Sequence, residues 1–146
     1  MSNAVVEKAL QQAVVDLIEL SLRGKQMHWN IQGEDFRSLH LFLDEIIDAV
    51  RLDGDEAAER LITIGTAPDG RAETVAKTTS LEPVEAGILS TDKVYQQYEA
   101  DLMTVSKNIQ ATLDEVDEAD PLTGDLLIGI CRNLEKNAWM LRSQGK

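Results

Sequence analysis

The amino-acid sequence predicts an all-α protein, a bundle of four long helices with a long crossover between the second and the third. Apolar residues recur at steps of three and four over four separate stretches, which is the periodicity of helices that bury one face. The stretch between the second and the third holds two of the three prolines and several turn formers. Such a crossover joins two antiparallel helical hairpins into one bundle.

Length, charge and cysteine content limit the class of protein. The 146 residues suit a single domain over 1–146 with a real core. A formal net charge of −12 suits cations, and it disfavours contact of the average surface with nucleic acid or anionic lipid. The lone Cys131 excludes a disulfide within the chain and indicates a buried small side chain. We recognise neither a signal peptide nor a run of 18 apolar residues, so we expect a cytoplasmic protein without a membrane partner.

The first two helices are predicted to form a hairpin that reverses near Gly33. The first begins at Ser2 or Asn3, either of which can act as its cap. Small residues at Ser21 and Gly24 leave room for a neighbouring helix. The apolar stripe of the first helix is Val6, Leu10, Ala13, Val14, Leu17 and Ile18. That of the second is Phe36, Leu39, Leu43, Ile46, Ile47, Val50, Ala57, Leu61 and Ile64.

The third and fourth helices are predicted from their caps and their apolar stripes. The third begins with Ser90 or Thr91, and the fourth with Asp120 followed by Pro121 at the first helical position, ending near Gly145. The stripe of the third is Val94, Tyr98, Leu102, Val105, Ile109, Leu113 and Val116, and that of the fourth is Leu127, Ile130, Leu134, Ala138 and Leu141. Neither carries the Glu-x-x-His pair of a di-iron site inside a bundle, so we expect an apolar interior.

Both histidines of the chain lie beside the predicted reversal. His28 and His40 stand six residues either side of position 34, so a helical hairpin places the two imidazoles at about the same level. Asp44 follows His40 by one helical turn on the same face. The spacing predicts a His/His/Asp cluster within one chain.

Two further acids, Asp55 and Glu59, lie one turn apart on that polar face of the second helix. At about 1.5 Å rise per residue, Asp44 and Asp55 are roughly 16 Å apart, which is too far to hold one ion together. A two-fold axis between antiparallel copies would bring this pair against the partner's histidine cluster. Imidazoles and carboxylates without thiolates suit iron, manganese or zinc. For each residue taken singly, packing and solvation remain the alternative explanation.

Three segments carry a resemblance to a known family. KQMHWNIQGEDFRSLHLFLDE followed by DEAAERL resembles the signature of the Dps family, the ferritin-like mini-ferritins named as DNA-binding proteins from starved cells. DPLTGDLLIGICRNLEKNAWML resembles that family's last helix, so the resemblance covers nearly the whole chain. It implies a ferritin-like bundle with a ferroxidase centre at a two-fold interface. The implied iron ligands are His28, His40, Asp44, Asp55 and Glu59.

The resemblance also implies an assembly and a reaction. The expected assembly is a hollow homo-oligomer, a dodecamer, that oxidises Fe²⁺ to Fe³⁺, with hydrogen peroxide as the family's general oxidant, and stores the mineral inside. The crossover is expected to carry a short helix, for which LEPVEAG is the candidate. Asp120 and Asp125 are candidates for an acidic entry pore, and Glu45 and Asp48 for mineral nucleation. Gly54, costly within a helix by about 1 kcal/mol relative to Ala, is predicted to allow close approach at a dimer contact.

Several functional alternatives stay open at this point. One is a nucleoid-associated protein that protects DNA, with little ferroxidase activity. The family's DNA binders use basic tails, whereas this chain has none at its start and only Arg142 and Lys146 near its end, so unaided DNA binding is not expected. Another is a structural dimer clamp that holds zinc or another ion. Trp29, next to His28, either packs or screens the metal and traps stray oxidising equivalents.

Overall fold

Four long helices form the body of the protein. The computed structural model describes residues 3–144, in which the long helices are α1 (Ala4–Asn30), α2 (Phe36–Thr63), α4 (Thr91–Gln110) and α6 (Pro121–Gln144). Two short helices, α3 (Ala72–Thr78) and α5 (Leu113–Ala119), lie in the connections, and strands β1 (Ile31–Gln32) and β2 (Leu89–Ser90) pair in parallel. The predicted all-α bundle, with a long crossover that carries a short helix, is confirmed. No helix within 3–144 has the length and apolar character needed to cross a membrane.

The predicted helix starts are confirmed by hydrogen bonds at three caps. The Asn3 side chain accepts from the Val5 amide at 2.9 Å, and the Ser90 hydroxyl accepts from the Lys93 amide at 3.2 Å. Asp120 accepts from the Leu122 amide at 3.2 Å, ahead of α6. Each satisfies a helical donor that has no partner within its helix. The other cap candidate, Ser2, and the predicted end at Gly145 lie outside the described residues.

The short helix of the crossover lies earlier than predicted. LEPVEAG is not helical, because Pro83 disfavours the helical conformation of the residue before it and lacks an amide proton. The helix forms instead at Ala72–Thr78, where Val75 is buried. Asp69 supports its start by accepting from the Arg71 amide at 3.2 Å and from the Thr74 hydroxyl at 2.8 Å.

The predicted third helix is divided into α4 and α5. A tight turn interrupts it, in which the Thr112 amide donates to the Ile109 carbonyl at 2.9 Å and the Thr112 hydroxyl donates to the same oxygen at 2.7 Å. Val116 is nevertheless buried, as its place in the apolar stripe predicts. Threonine competes for backbone carbonyls through its side chain, which favours such an interruption.

The expectation of an apolar interior is wrong at several buried charged residues, two of which, Arg23 and Asp101, form an ion pair. Arg23 is only 2% exposed, and its guanidinium donates to both oxygens of the buried Asp101, with Nε to Oδ2 at 2.9 Å and Nη2 to Oδ1 at 3.0 Å. The backbone carbonyl of Glu82 accepts a further bond from Arg23. This ion pair joins α1 to α4 and to the crossover, while the rest of the core is mainly aliphatic. Cys131 is buried and free, as predicted.

Gly24 allows close packing of α1 against its neighbours. A Cβ atom at this position would lie 2.6 Å from Ile47 Cγ1 and 2.7 Å from the Tyr98 hydroxyl oxygen. The predicted room for a neighbouring helix is therefore confirmed. At Gly54 a Cβ would lie 3.5 Å from Leu17 Cβ of the same chain, which is ordinary contact. The role of Gly54 at a dimer contact stays a prediction.

Candidate metal centre

The turn between α1 and α2 sets the level of the two histidines. Gly33 has φ 134°, and a Cβ there would lie 2.8 Å from the Thr91 hydroxyl oxygen, so glycine is required both by the backbone and by the space. Asp35 adopts the left-handed conformation with φ 61° directly before α2. The pairing of Ile31 with Leu89 ties the turn to the end of the crossover. The chain therefore reverses direction at a fixed position between α1 and α2.

The imidazoles of His28 and His40 are stacked at the top of this hairpin. Their ring centroids are 3.7 Å apart, and the ring planes differ by 11°. His28 Nδ1 lies 2.6 Å from the His40 carbonyl oxygen, and His40 Nδ1 lies 2.8 Å from the His28 carbonyl oxygen. Because a carbonyl only accepts, we assign the proton to Nδ1 in both rings. In the neutral rings both Nε2 atoms then carry a free lone pair, as metal ligands need.

Asp44 lies on the Nε2 side of His28. Its Oδ2 lies 3.6 Å from His28 Nε2, while its Oδ1 accepts from the Lys25 ammonium at 2.6 Å. The bond from Lys25 holds the pKa of the Asp44 carboxyl below its usual range, so this group is a carboxylate at neutral pH. The sequence reasoning missed Lys25, although it lies one helical turn before His28 on α1.

Asp55 and Glu59 do not join the histidine cluster within one chain. Both are exposed on α2, on the turns that follow the buried Asp53 and Gly54. Across residues 3–144, no group of three or more histidine, cysteine, aspartate or glutamate side chains is arranged to hold a metal ion. The predicted site residues of one chain therefore lie in two separate places, with His28, His40 and Asp44 beside the turn and Asp55 and Glu59 farther along α2.

An apolar groove lies beside Asp55. Its cavity volume is about 290 Å³, and its lining comes from α1, α2 and the crossover. The apolar lining residues are Val14, Leu17, Ile18, Val50, Ala58 and Pro68, with Arg51 and Asp55 at the polar side. Asp55 is thus next to a partly apolar surface that water solvates poorly.

The remaining candidate residues differ in their surroundings. The Asp120 carboxylate accepts from the Thr123 hydroxyl at 2.5 Å and from Arg60 Nη2 at 2.8 Å, and these bonds lower its pKa to about 2. Asp125, Glu45 and Asp48 are exposed, and the pore and nucleation roles stay predictions. Trp29 is 68% exposed, so it does not pack in the core of its own chain.

The long hairpin, the crossover bundle and the imidazole and carboxylate cluster define a ferritin-like protein. The model of the ferritin-like domain family matches residues 7–145. The chain belongs to the Dps family of this class. It is 31% identical to the DNA protection during starvation protein of Agrobacterium fabrum over 97% of its own length and 88% of that protein.

Two further comparisons agree in fold and sequence. DNA protection during starvation protein 2 of Deinococcus radiodurans is 32% identical over 93% of this chain, which spans 56% of that relative's length. The structure of Dps from Microbacterium arborescens in the high iron form superposes with a TM-score of 0.91 at 31% identity, covering 97% of this chain and 92% of that one. The predicted Dps resemblance is confirmed.

Proposed function

We propose that the protein is a ferroxidase and iron store, which oxidises Fe²⁺ at sites shared between two copies of the chain. The observation that carries this is the pair of stacked imidazoles, whose Nδ1 atoms are both engaged by backbone carbonyls. That arrangement leaves the Nε2 atoms of both rings free, with that of His28 3.6 Å from an ionised carboxylate, and nitrogen with carboxylate oxygen is a donor set that suits iron. The high iron form of the Microbacterium arborescens Dps supports iron as the substrate.

The second copy supplies the ligands that one chain lacks. In an antiparallel two-fold dimer, Asp55 and Glu59 of one α2 lie against His28, His40 and Asp44 of the other. The apolar groove beside Asp55 supports this contact, because a second copy that packs there removes apolar surface from water. Two identical sites form in each dimer, and six dimers would make the dodecameric shell typical of the family.

Each side chain has a distinct role in the proposed reaction. His28 and His40 donate neutral nitrogen, while Asp44 and Glu59 donate negative charge, which favours Fe³⁺ over Fe²⁺. Asp55 assists at the same iron or holds a second, weaker one. Two Fe²⁺ ions give one electron each to hydrogen peroxide, whose O–O bond breaks, and two protons complete two molecules of water. Fe²⁺ and peroxide are thus consumed together, which suppresses hydroxyl radical.

The charge of the chain suits delivery and storage of the ion. A net charge of −12 per chain attracts Fe²⁺ to the shell, and the range of this attraction shortens as the salt concentration rises. We assign Asp120 and Asp125 to the entry pore, and Glu45 and Asp48 to mineral nucleation inside the shell. We place the protein itself in the cytoplasm. Because Asp120 is already bonded to Arg60 and Thr123, Asp125 is the freer of the two pore carboxylates.

The test is the oxidation rate of a His28→Ala/His40→Ala variant. We expect Fe²⁺ loss in the presence of peroxide, followed with a ferrous chelator, to slow by at least about tenfold while the assembled size is unchanged. Glu56 is an exposed acid on α2, the helix that carries His40. The matched control is Glu56→Gln, which should keep the wild-type rate. Wild-type oxidation by the histidine variant would refute the assignment. Comparison of peroxide with dioxygen, each added alone, identifies the oxidant.

DNA protection without ferroxidase activity is the competing function. The acidic chain offers phosphate little attraction, and we expect no band shift with duplex DNA even at low salt. A shift that disappears with added salt, together with slow iron oxidation, would favour this function instead.

A further inference from the structure

Three aromatic rings form one stack at the candidate metal centre. The Phe36 and His40 ring centroids are 5.0 Å apart with planes 21° from parallel, and the His40 and His28 centroids are 3.7 Å apart. His40 therefore lies between an imidazole on one face and a phenyl ring on the other. Phe36 remains 43% exposed in the chain, so burial in the core does not account for its position.

The backbone places Phe36 at this point in the stack. The left-handed Asp35 directly precedes α2, and Phe36 is the first helical residue. His40 follows four residues later, at the spacing at which side chains on a helix meet. The same turn that sets the level of the two histidines thus also sets the phenyl ring against His40.

The two histidines are held unequally by the rest of the chain. His28 is only 7% exposed and is enclosed by the hairpin, whereas His40 is half-buried. The hydrogen bond from His40 Nδ1 to the His28 carbonyl holds one atom of the His40 ring, and one hydrogen bond by itself does not set the tilt of a ring plane. The phenyl ring of Phe36 closes the face of His40 that His28 leaves open.

We propose that Phe36 is a positioning residue for His40, which keeps the His40 imidazole stacked on that of His28 so that both Nε2 atoms can bind one metal ion. The inference rests on the proposed function, because it assumes that these two nitrogens bind the metal. Offset stacking favours the parallel arrangement of the three rings, and the phenyl ring excludes water from the outer face of His40. Phe36 itself touches no metal.

Loss of the phenyl ring should weaken metal binding and leave the chemistry itself intact. From the strength of aromatic pairs, we expect Phe36→Leu to bind Co²⁺ about three- to tenfold more weakly. The Michaelis constant for Fe²⁺ should rise by a similar factor, with the rate at saturating Fe²⁺ nearly unchanged, since the ligands are still present. Leucine keeps the apolar character of the site, so loss of general hydrophobic contact does not explain such a change.

The experiment titrates the assembled, metal-free protein with Co²⁺ alone and follows the visible d–d absorption. Phe36→Tyr keeps the ring and should retain wild-type affinity. Phe42→Leu is the matched control, because it makes the same change on the same helix at a residue with no stack on either histidine in the described chain. The His28→Ala/His40→Ala variant measures the affinity that remains without the imidazoles.

The outcomes separate the inference from the proposed function. Wild-type Co²⁺ affinity in Phe36→Leu, combined with weak binding by the histidine variant, overturns the role of Phe36 alone. Equal Co²⁺ binding by the wild type and the histidine variant overturns the metal site and the inference with it. If Phe36→Leu and Phe36→Met both fail to assemble while Phe36→Tyr assembles, Phe36 belongs to a subunit contact and the proposal is wrong.

Discussion

Replacing Gly24 with alanine should destabilise the protein although alanine is the better helix former. The new Cβ would lie 2.6 Å from Ile47 Cγ1 and 2.7 Å from the Tyr98 hydroxyl oxygen. Neither neighbour can retreat easily, since both are fully buried and the Tyr98 hydroxyl donates to the Leu20 carbonyl at 2.7 Å. An overpacking cost of about 3 kcal/mol is offset by about 1 kcal/mol of helix propensity, so we expect a net loss of about 2 kcal/mol.

Gly129→Ala is the matched control for this prediction. Outside its own stretch of α6, no atom of the described residues lies within 4 Å of a Cβ built at Gly129, so the helix propensity of alanine should raise the free energy of unfolding by about 1 kcal/mol. Urea denaturation at one fixed chain concentration measures both variants, because the stability of an oligomer depends on concentration. Equal stability of the two variants would refute the close-packing argument. A separate Gly54→Ala variant tests the predicted dimer contact, which loss of assembly would support.

Two further changes test electrostatic features of the structure. Burial raises the pKa of Asp53 to about 6, so its ionisation disfavours the native state as pH rises from about 4 to 6. Asp53→Asn should therefore be more stable than the wild type by about 2 kcal/mol in urea at pH 8, and nearly equal at pH 4; a constant difference would contradict this. Lys25→Met should bind Co²⁺ about two- to fivefold more tightly in the same titration, since no ammonium then competes for Asp44; weaker binding would contradict this.

The features that depend on residues close together in sequence, such as the turn between α1 and α2 and the helix caps, could be predicted from the sequence. The symmetric spacing of His28 and His40 about the turn predicted the level of the rings, and the caps at Asn3 and Ser90 predicted two helix starts. In the crossover, the family resemblance suggested LEPVEAG as the short helix, and Pro83 excludes that helix.

Pairings across long sequence separations were not visible in the sequence. Arg23 and Asp101 are 78 residues apart and meet only when α1 and α4 pack. Lys25 and Asp44 are 19 residues apart, and either could have been a solvated charge on its own helix. For Asp55 and Glu59 the helical rise excluded a shared ion with Asp44 within one chain, and the proposed contact with a second copy depends on assembly, which spacing along one helix does not show.

The central claim is that two chains complete each iron site, and co-assembly of two defective variants tests it most directly. One variant is His28→Ala/His40→Ala, and the other is Asp55→Asn/Glu59→Gln. When the two variants are unfolded together in equal amounts and reassembled, half of the dimers contain one chain of each. Each such mixed dimer has one intact site and one site that lacks both histidines and both acids of the second pair. The account predicts that oxidation of Fe²⁺ returns to about a quarter of the wild-type rate. A mixture as inactive as either variant alone would contradict it.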